Sequence, residues 1–162
     1  MAVAEIIGSA VGVLLLVIVA YLLVGGTLST AETVVAAQKD MTLLQEIRLG
    51  THITIDSATS NATAITFSVI NDGDEPISDI SQIDIFSYNS TDKDYIHYRY
   101  NGEKSYTEET WYDTSFENAV VHANQLDPGV TMYGVAILYA GDDPHNIRIV
   151  TPNGISAEKI IP

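Results

Sequence analysis

Cysteine is absent from this chain of 162 residues. Without a thiol there is no disulfide framework, no cysteine nucleophile and no thiolate metal site, and the redox compartment stays open. Any folded domain must therefore stand on its hydrophobic core. Basic residues are scarce as well: seven Lys and Arg face twenty-one Asp and Glu, for a formal net charge of −14. A surface of that sign repels phosphate backbones, and with no basic stripe to offset it nucleic acid is excluded as a partner. The same acidity argues against electrostatic docking onto anionic lipid headgroups. Catalytic signatures are missing too. The four histidines, His52, His97, His122 and His145, include no i, i+4 pair, and Ser115 has no Gly-x-Ser-x-Gly context. Asp92 and Asp94 form a DxD pair inside a polar turn, "NSTDKD", with no nucleotide-binding pattern around it. "NDGDEPISD" and "AGDDPHN" gather oxygen ligands without the alternation of an EF-hand loop, and are read as solvated acidic turns. No catalytic, cofactor or metal site is assigned, and the chain is expected not to be an enzyme.

What the chain does have is one long apolar run. From Ile6 to Val24 there is no charge, and only Gly8, Ser9, Gly12 and Tyr21 interrupt the aliphatic residues. Nineteen residues in a helix reach roughly 28 Å, about the thickness of a bilayer core. A signal peptide would start with basic residues and carry a shorter apolar core, whereas this chain starts MAVAE. A buried core helix is disfavoured because a run apolar on all sides is rarely enclosed by so small a domain. Residues 1–26 are therefore expected to be a retained membrane-spanning helix. After Gly25 and Gly26 the pattern stays helical, with Val34, Ala37, Met41 and Leu44 on one stripe, so residues 27–50 read as an amphipathic stalk. Gly50 is the expected helix stop. The positive-inside rule has little to act on, since the first basic residue is Lys39. Two features place the C-terminal part outside the membrane: seventeen acidic against five basic residues after Gly50, and the glycosylation sequons Asn61-Ala-Thr63 and Asn89-Ser-Thr91.

Residues 51–162 read as β throughout. "HITID", "AITFSVIN", "SQIDIFSY", "DYIHYRY", "NAVVHA", "VTMYGVAILYA" and "NIRIVT" alternate apolar with polar residues or are rich in β-branched and aromatic ones. Turn sequences such as "NDGDEP", "NGEK", "LDPG" and "PNG" separate them. Seven or eight short strands at this spacing predict an antiparallel, Ig-like β-sandwich. The aromatic residues of the wider interval, Tyr106, Trp111, Tyr112 and Phe116, are expected in the core.

Two stretches, Ala37–Phe86 and Leu126–Ile155, carry a family resemblance. They hold "AQKD" at 37–40, a strand ending in V-x-N-x-G with Asn71 and Gly73, and Asp84 before an aliphatic residue. A Pro128-Gly129 turn and a strand followed by T-x-N-G with Asn153 and Gly154 complete the set. On these residues the chain resembles the F-type archaellum accessory proteins, within the archaellin and type IV pilin-like superfamily. Val130 departs from the pattern, standing where an acidic residue is common, and "NGEKSYTEETWYDTSFENAV" looks like an insertion. The resemblance implies a non-enzymatic archaellum motor component with no cofactor. A single membrane helix would anchor it, and its sandwich would bind surface-layer protein as a stator and meet other motor proteins. Self-association is implied as well. An alternative from the same superfamily is an archaellin or pilin-like filament subunit whose N-terminal helices form the filament core. In such subunits a glutamate before the apolar helix pairs with a neighbour's amino terminus. Glu5 stands at that place, although as an acidic residue it also suits a helix N-terminus. A third reading is a membrane-tethered solute or calcium binder using Asp72, Asp74 or Asp79.

Overall fold

The computed structural model describes residues 2–119, 122 and 125–162. One helix, α1, runs from Ala2 to Gly50 without a break. The chain contains no proline before Pro76, so nothing between residues 2 and 50 removes a backbone donor, and the helix passes through Gly25 and Gly26. Hydroxyls along it turn inward: Ser9, Thr27, Thr30, Thr33 and Thr42 each donate to a carbonyl three or four residues back, at 2.9 Å. A serine or threonine satisfied in this way presents mainly its carbon atoms to the surroundings. Forty-nine residues make a helix about 73 Å long, more than twice the depth of a bilayer core. It is the one helix among the described residues that is long and apolar enough to cross a membrane. Two compact units divide the chain, residues 1–45 and 46–162.

The second unit is a β-sandwich. Its strands are β1 (Ile53–Ser60), β2 (Ala64–Asn71), β3 (Asp84–Asn89), β4 (Asp94–Tyr100), β5 (Thr110–Glu117), β6 (Thr131–Ile137), β7 (Pro144–Val150) and β8 (Ser156–Ile160). They follow one another in the sheet as β1-β2-β6-β5-β4-β3-β7-β8. One layer is β1-β2-β6-β5 and the other β4-β3-β7-β8, all antiparallel inside each layer. Lettered in chain order, this is the ABED sheet facing the GFCC′ sheet of the immunoglobulin arrangement. A short parallel pairing of Arg99 and Tyr100 with Thr110 and Trp111 links the layers. Where the outermost strands β1 and β8 approach each other, Lys159 Nζ donates to Asp56 O at 2.7 Å and Ile55 O at 3.3 Å, beside a bulge in β1. A lysine over an unpaired strand edge blocks the addition of a further strand there.

Inward-facing residues of both layers form a single core. Ile65, Phe67 and Val69 come from β2, Ile85 from β3, Tyr98 from β4, Trp111 from β5, Met132 from β6, and Ile147 and Ile149 from β7. Trp111 packs against Phe67 and Tyr100, with ring centroids 6.2 and 4.7 Å away. Gly134 makes room for this cluster, because a Cβ there would stand 2.3 Å from Phe67 Cζ.

Several expectations meet the structure with differences. The segment read as an insertion supplies a strand of the sheet, β5, whose alternation "TWYDTSFE" is masked by its polar residues. Of its aromatics, Trp111 and Tyr112 are buried and Phe116 packs partly on the core, while Tyr106 is exposed. The start of "SQIDIFSY" is a 3-10 turn over Ile80–Gln82, N-capped by Asp79, and the strand begins at Asp84. β8 follows the last turn and was not among the expected strands. The strand expected at "NAVVHA", residues 118–123, includes residues 120, 121 and 123, which lie outside the described residues.

Candidate functional site

Every α-helix ends with carbonyls that have no partner within it, and a buried helix end must find donors elsewhere. Here the donors come from the segment after β2. Gly50 O accepts from the backbone N–H groups of Asp74 (2.7 Å) and Glu75 (3.1 Å), and His52 O accepts from those of Asp72 (3.2 Å) and Gly73 (3.1 Å). Thr51 completes the cap, its N–H and its Oγ1 both donating to Ile47 O at 3.0 and 2.8 Å. The helix therefore stops at Gly50 because a second segment caps it. Gly50 is not among the glycines with positive φ. The capping segment must approach closely, and Gly73 permits it: a Cβ at this position would lie 2.4 Å from His52 N and 2.5 Å from Gly50 O.

Asn71 holds that segment in place. It is fully buried, and its Nδ2 donates to Glu75 O (2.8 Å) and Leu126 O (2.9 Å) while its Oδ1 accepts from Gly73 N (3.1 Å). Its backbone N–H donates to Val130 O and its carbonyl accepts from Gly129 N at 2.7 Å. Gly129 has φ +78° and follows Pro128, with Val130 N donating to Asp127 O. Proline second and a left-handed glycine third are what a type II turn requires. A third segment arrives from the other sheet: Asn153 Nδ2 donates to Thr51 Oγ1 at 2.6 Å, and Thr151 Oγ1 bonds Asn153 Oδ1. Asn71, Gly73, Pro128, Gly129, Asn153 and Gly154, scattered over more than eighty residues of sequence, thus form one collar at residues 47–52, which Pro128 and Gly129 join through Asn71.

One exposed histidine–aspartate contact lies on the collar. His52 Nδ1 is 2.6 Å from Asp72 Oδ1, and Thr54 Oγ1 donates to Asp72 Oδ2 at 2.9 Å. Partial burial is the largest single influence on Asp72 and opposes its ionisation. The hydrogen bonds from His52, Thr54 and its own N–H, with the charge of His52, together hold its carboxyl below the usual aspartate range. Sequence reasoning passed over Thr51, named His52 only as a histidine without a metal-ligand partner, and took Thr151 only as the first residue of T-x-N-G. Each reads as an ordinary strand-flanking polar residue, so only their meeting in space marks them.

The remaining candidates lie elsewhere. Asp84 stands on an exposed face with Oδ1 3.0 Å from His97 Nε2, away from the collar contacts. Asn61 is exposed in the loop between β1 and β2, and Asn89 is buried at the end of β3. Glu5 lies in the first turn of α1. Of the aspartates named for calcium, Asp72 is engaged with His52 and Thr54 and Asp79 with Ser81 and Gln82, and in the second acidic turn Asp142 bonds Asn89 and Tyr139 N. Histidines 52, 97 and 122 each face a different aspartate, and no group of three metal-ligating side chains occurs among the described residues.

No family profile matches the chain, and no curated protein matches it significantly. Solved structures do. The archaellum periplasmic stator protein FlaG from Sulfolobus acidocaldarius superimposes with a TM-score of 0.50 at 22% identity, covering 68% of this chain and 99% of that one. The complex of the periplasmic stator proteins FlaF and FlaG from the same organism gives a TM-score of 0.49 at 22% identity, covering 67% and 87%. The first likeness shows a shared fold over about the share of the chain that the sandwich occupies. The sequence motifs resemble the F type, and the fold likeness is to a G-type protein.

Proposed function

We propose that this chain is a non-enzymatic stator component of an archaellum motor, anchored by α1 in the cell membrane, with its sandwich outside and bound to surface-layer protein. The observation that carries this reading is a bilayer-length apolar run in the same chain as a sandwich with the fold of a periplasmic archaellum stator protein. The collar supports it. A tether that must hold a domain against a turning filament needs its helix end fixed into that domain, and the motif residues are placed to do so. Other motor proteins are its expected neighbours in the envelope.

The test is genetic and biochemical together. On this reading the chain holds a motor whose filament assembles without it, so deletion of the gene should give filamented, non-swimming cells. Cross-linking of the full-length chain in native envelopes should recover surface-layer protein and motor proteins. Bald cells, or a chain that never cross-links to surface layer, would sink the proposal. One observation favours a second reading, a filament subunit: Val34, Met41 and Leu44 on the stalk stripe are all exposed, as helix-to-helix packing between subunits would require. Peptide mapping of purified filaments decides that reading directly.

A further inference from the structure

The two sequons, Asn61-Ala62-Thr63 and Asn89-Ser90-Thr91, are alike in sequence and opposite in structure. N-linked transfer uses one atom, the side-chain amide nitrogen, and the attached sugar then needs solvent to occupy. Asn89 offers neither. It is 1% exposed, its Nδ2 donates to Asp92 Oδ2 (3.1 Å) and Asp142 Oδ1 (2.8 Å), and its Oδ1 accepts from Thr91 N (3.0 Å) and Asp143 N (3.1 Å). Both amide hydrogens and both carbonyl lone pairs are in use. These bonds tie the turn after β3 to the loop before β7, and a sugar on Nδ2 would cut that tie.

At Asn61 the polarity of the arrangement is reversed. The residue is exposed in the three-residue loop between β1 and β2, and its contacts converge on the carbonyl oxygen. Oδ1 accepts from Thr63 N (2.9 Å), Thr63 Oγ1 (3.0 Å) and Ala64 N (2.9 Å). Nδ2 has no hydrogen-bond partner among the described residues. The side chain is held by its oxygen and leaves its nitrogen open to solvent.

We infer that Asn61 carries an N-linked glycan in the folded protein, and that Asn89 is a structural residue that stays unmodified. The inference rests on the reading that the sandwich lies outside the membrane, where a transferase would use a polyprenyl-phosphate-linked oligosaccharide. In that transfer a bond forms between Asn61 Nδ2 and the anomeric carbon. The bond from that carbon to the phosphate oxygen breaks, the polyprenyl phosphate leaves with the bonding pair, and the amide gives up one proton to the medium.

The experiment is peptide mass spectrometry on the full-length chain purified from its native membranes. The expected result is hexose-containing mass on the Asn61 peptide and none on the Asn89 peptide. Asn61→Gln and Thr63→Ala should lose that mass, and Thr63→Ser, which preserves the sequon, should keep it. Glu103→Thr serves as the control, because it creates a sequon at Asn101 in an exposed loop. Sugar on Asn89 overturns the inference. So does a bare Asn61 in a chain whose Asn101 is modified, and this result leaves the outside placement standing. If all three asparagines are bare, the outside placement itself fails and the inference fails with it.

Discussion

Residues 2–45 and residues 46–162 draw on the same aliphatic side chains and turn them in opposite directions. In the helix Val, Leu and Ile point outward along the whole length, and every backbone hydrogen bond closes within four residues. In the sandwich the same residue types point inward, and the bonds that matter join segments far apart in sequence: Asn71 to Leu126, Thr51 to Asn153, Lys159 to Asp56. The difference teaches that apolar content says nothing about where stability comes from until the solvent is named. A helix apolar on every side is complete without tertiary contacts where lipid surrounds it. The sandwich is complete in water and depends on contacts made at long range.

Four measurements would break or sharpen that contrast. The largest effect is expected from Leu15→Arg, at the middle of the apolar run, which costs insertion about 3 kcal/mol or more. The chain should leave the membrane fraction while the sandwich melts at an unchanged temperature; loss of sandwich stability would show that the two regions are not separate. Gly73→Ala is the converse. Its methyl group collides with the backbone of residues 50–52, and about 3 kcal/mol of sandwich stability should go, lowering the melting temperature by roughly 10 °C or more. Membrane partition should not move. The signal can be the fluorescence of Trp111, the sole tryptophan and a fully buried one.

The third concerns alkaline pH. Burial pushes the Tyr98 hydroxyl up to about 12, against the hydrogen bond with Ser87, with Asp142 and Glu109 adding to the rise. The folded pKa is above the unfolded one, so this stabilisation is whole below about pH 10 and is lost as the pH climbs towards 12, at about 1.4 kcal/mol per pH unit. Tyr98→Phe should flatten that part of the decline, at a cost of about 1 kcal/mol at neutral pH for the lost bond to Ser87. Urea midpoints at pH 8, 10 and 11 test it, and parallel slopes for both proteins would refute it. The smallest effect is that of Asp72→Asn. Its carboxyl is held below the ordinary range, so its contribution is present above about pH 4 and fades as the pH falls through its folded value. The pair with His52 is exposed, so about 0.5 kcal/mol is expected at pH 6 and none at pH 2.

Much of the fold was legible because two periods are strong in this chain. The uncharged run and its stalk gave the helix, and its end at Gly50 was placed correctly. Alternation in "HITID", "AITFSVIN" and "DYIHYRY" gave strands where the structure has β1, β2 and β4. β5 was obscured because five of its eight residues, Thr110, Asp113, Thr114, Ser115 and Glu117, are polar, and β8 because "SAEKI" has only two aliphatic side chains besides its charges. The collar was half legible. Asn71, Gly73, Pro128, Gly129, Asn153 and Gly154 could be picked out as turn residues, yet nothing local says that three turns meet at one helix end. Likewise the sequons are indistinguishable as text, since burial and bonding partners separate them.

The collar also has a mechanical consequence. A pull applied at Gly50 does not reach the sandwich through one strand alone. It meets the bonds to Asp74 and Glu75, the bonds from His52 to Asp72 and Gly73, and the tie from Thr51 to Asn153 at the same moment. These contacts bear force side by side, so they yield together rather than one after another as a zipper would. Because their anchors lie in both sheets, tension at the helix end is divided between the two layers before either is peeled.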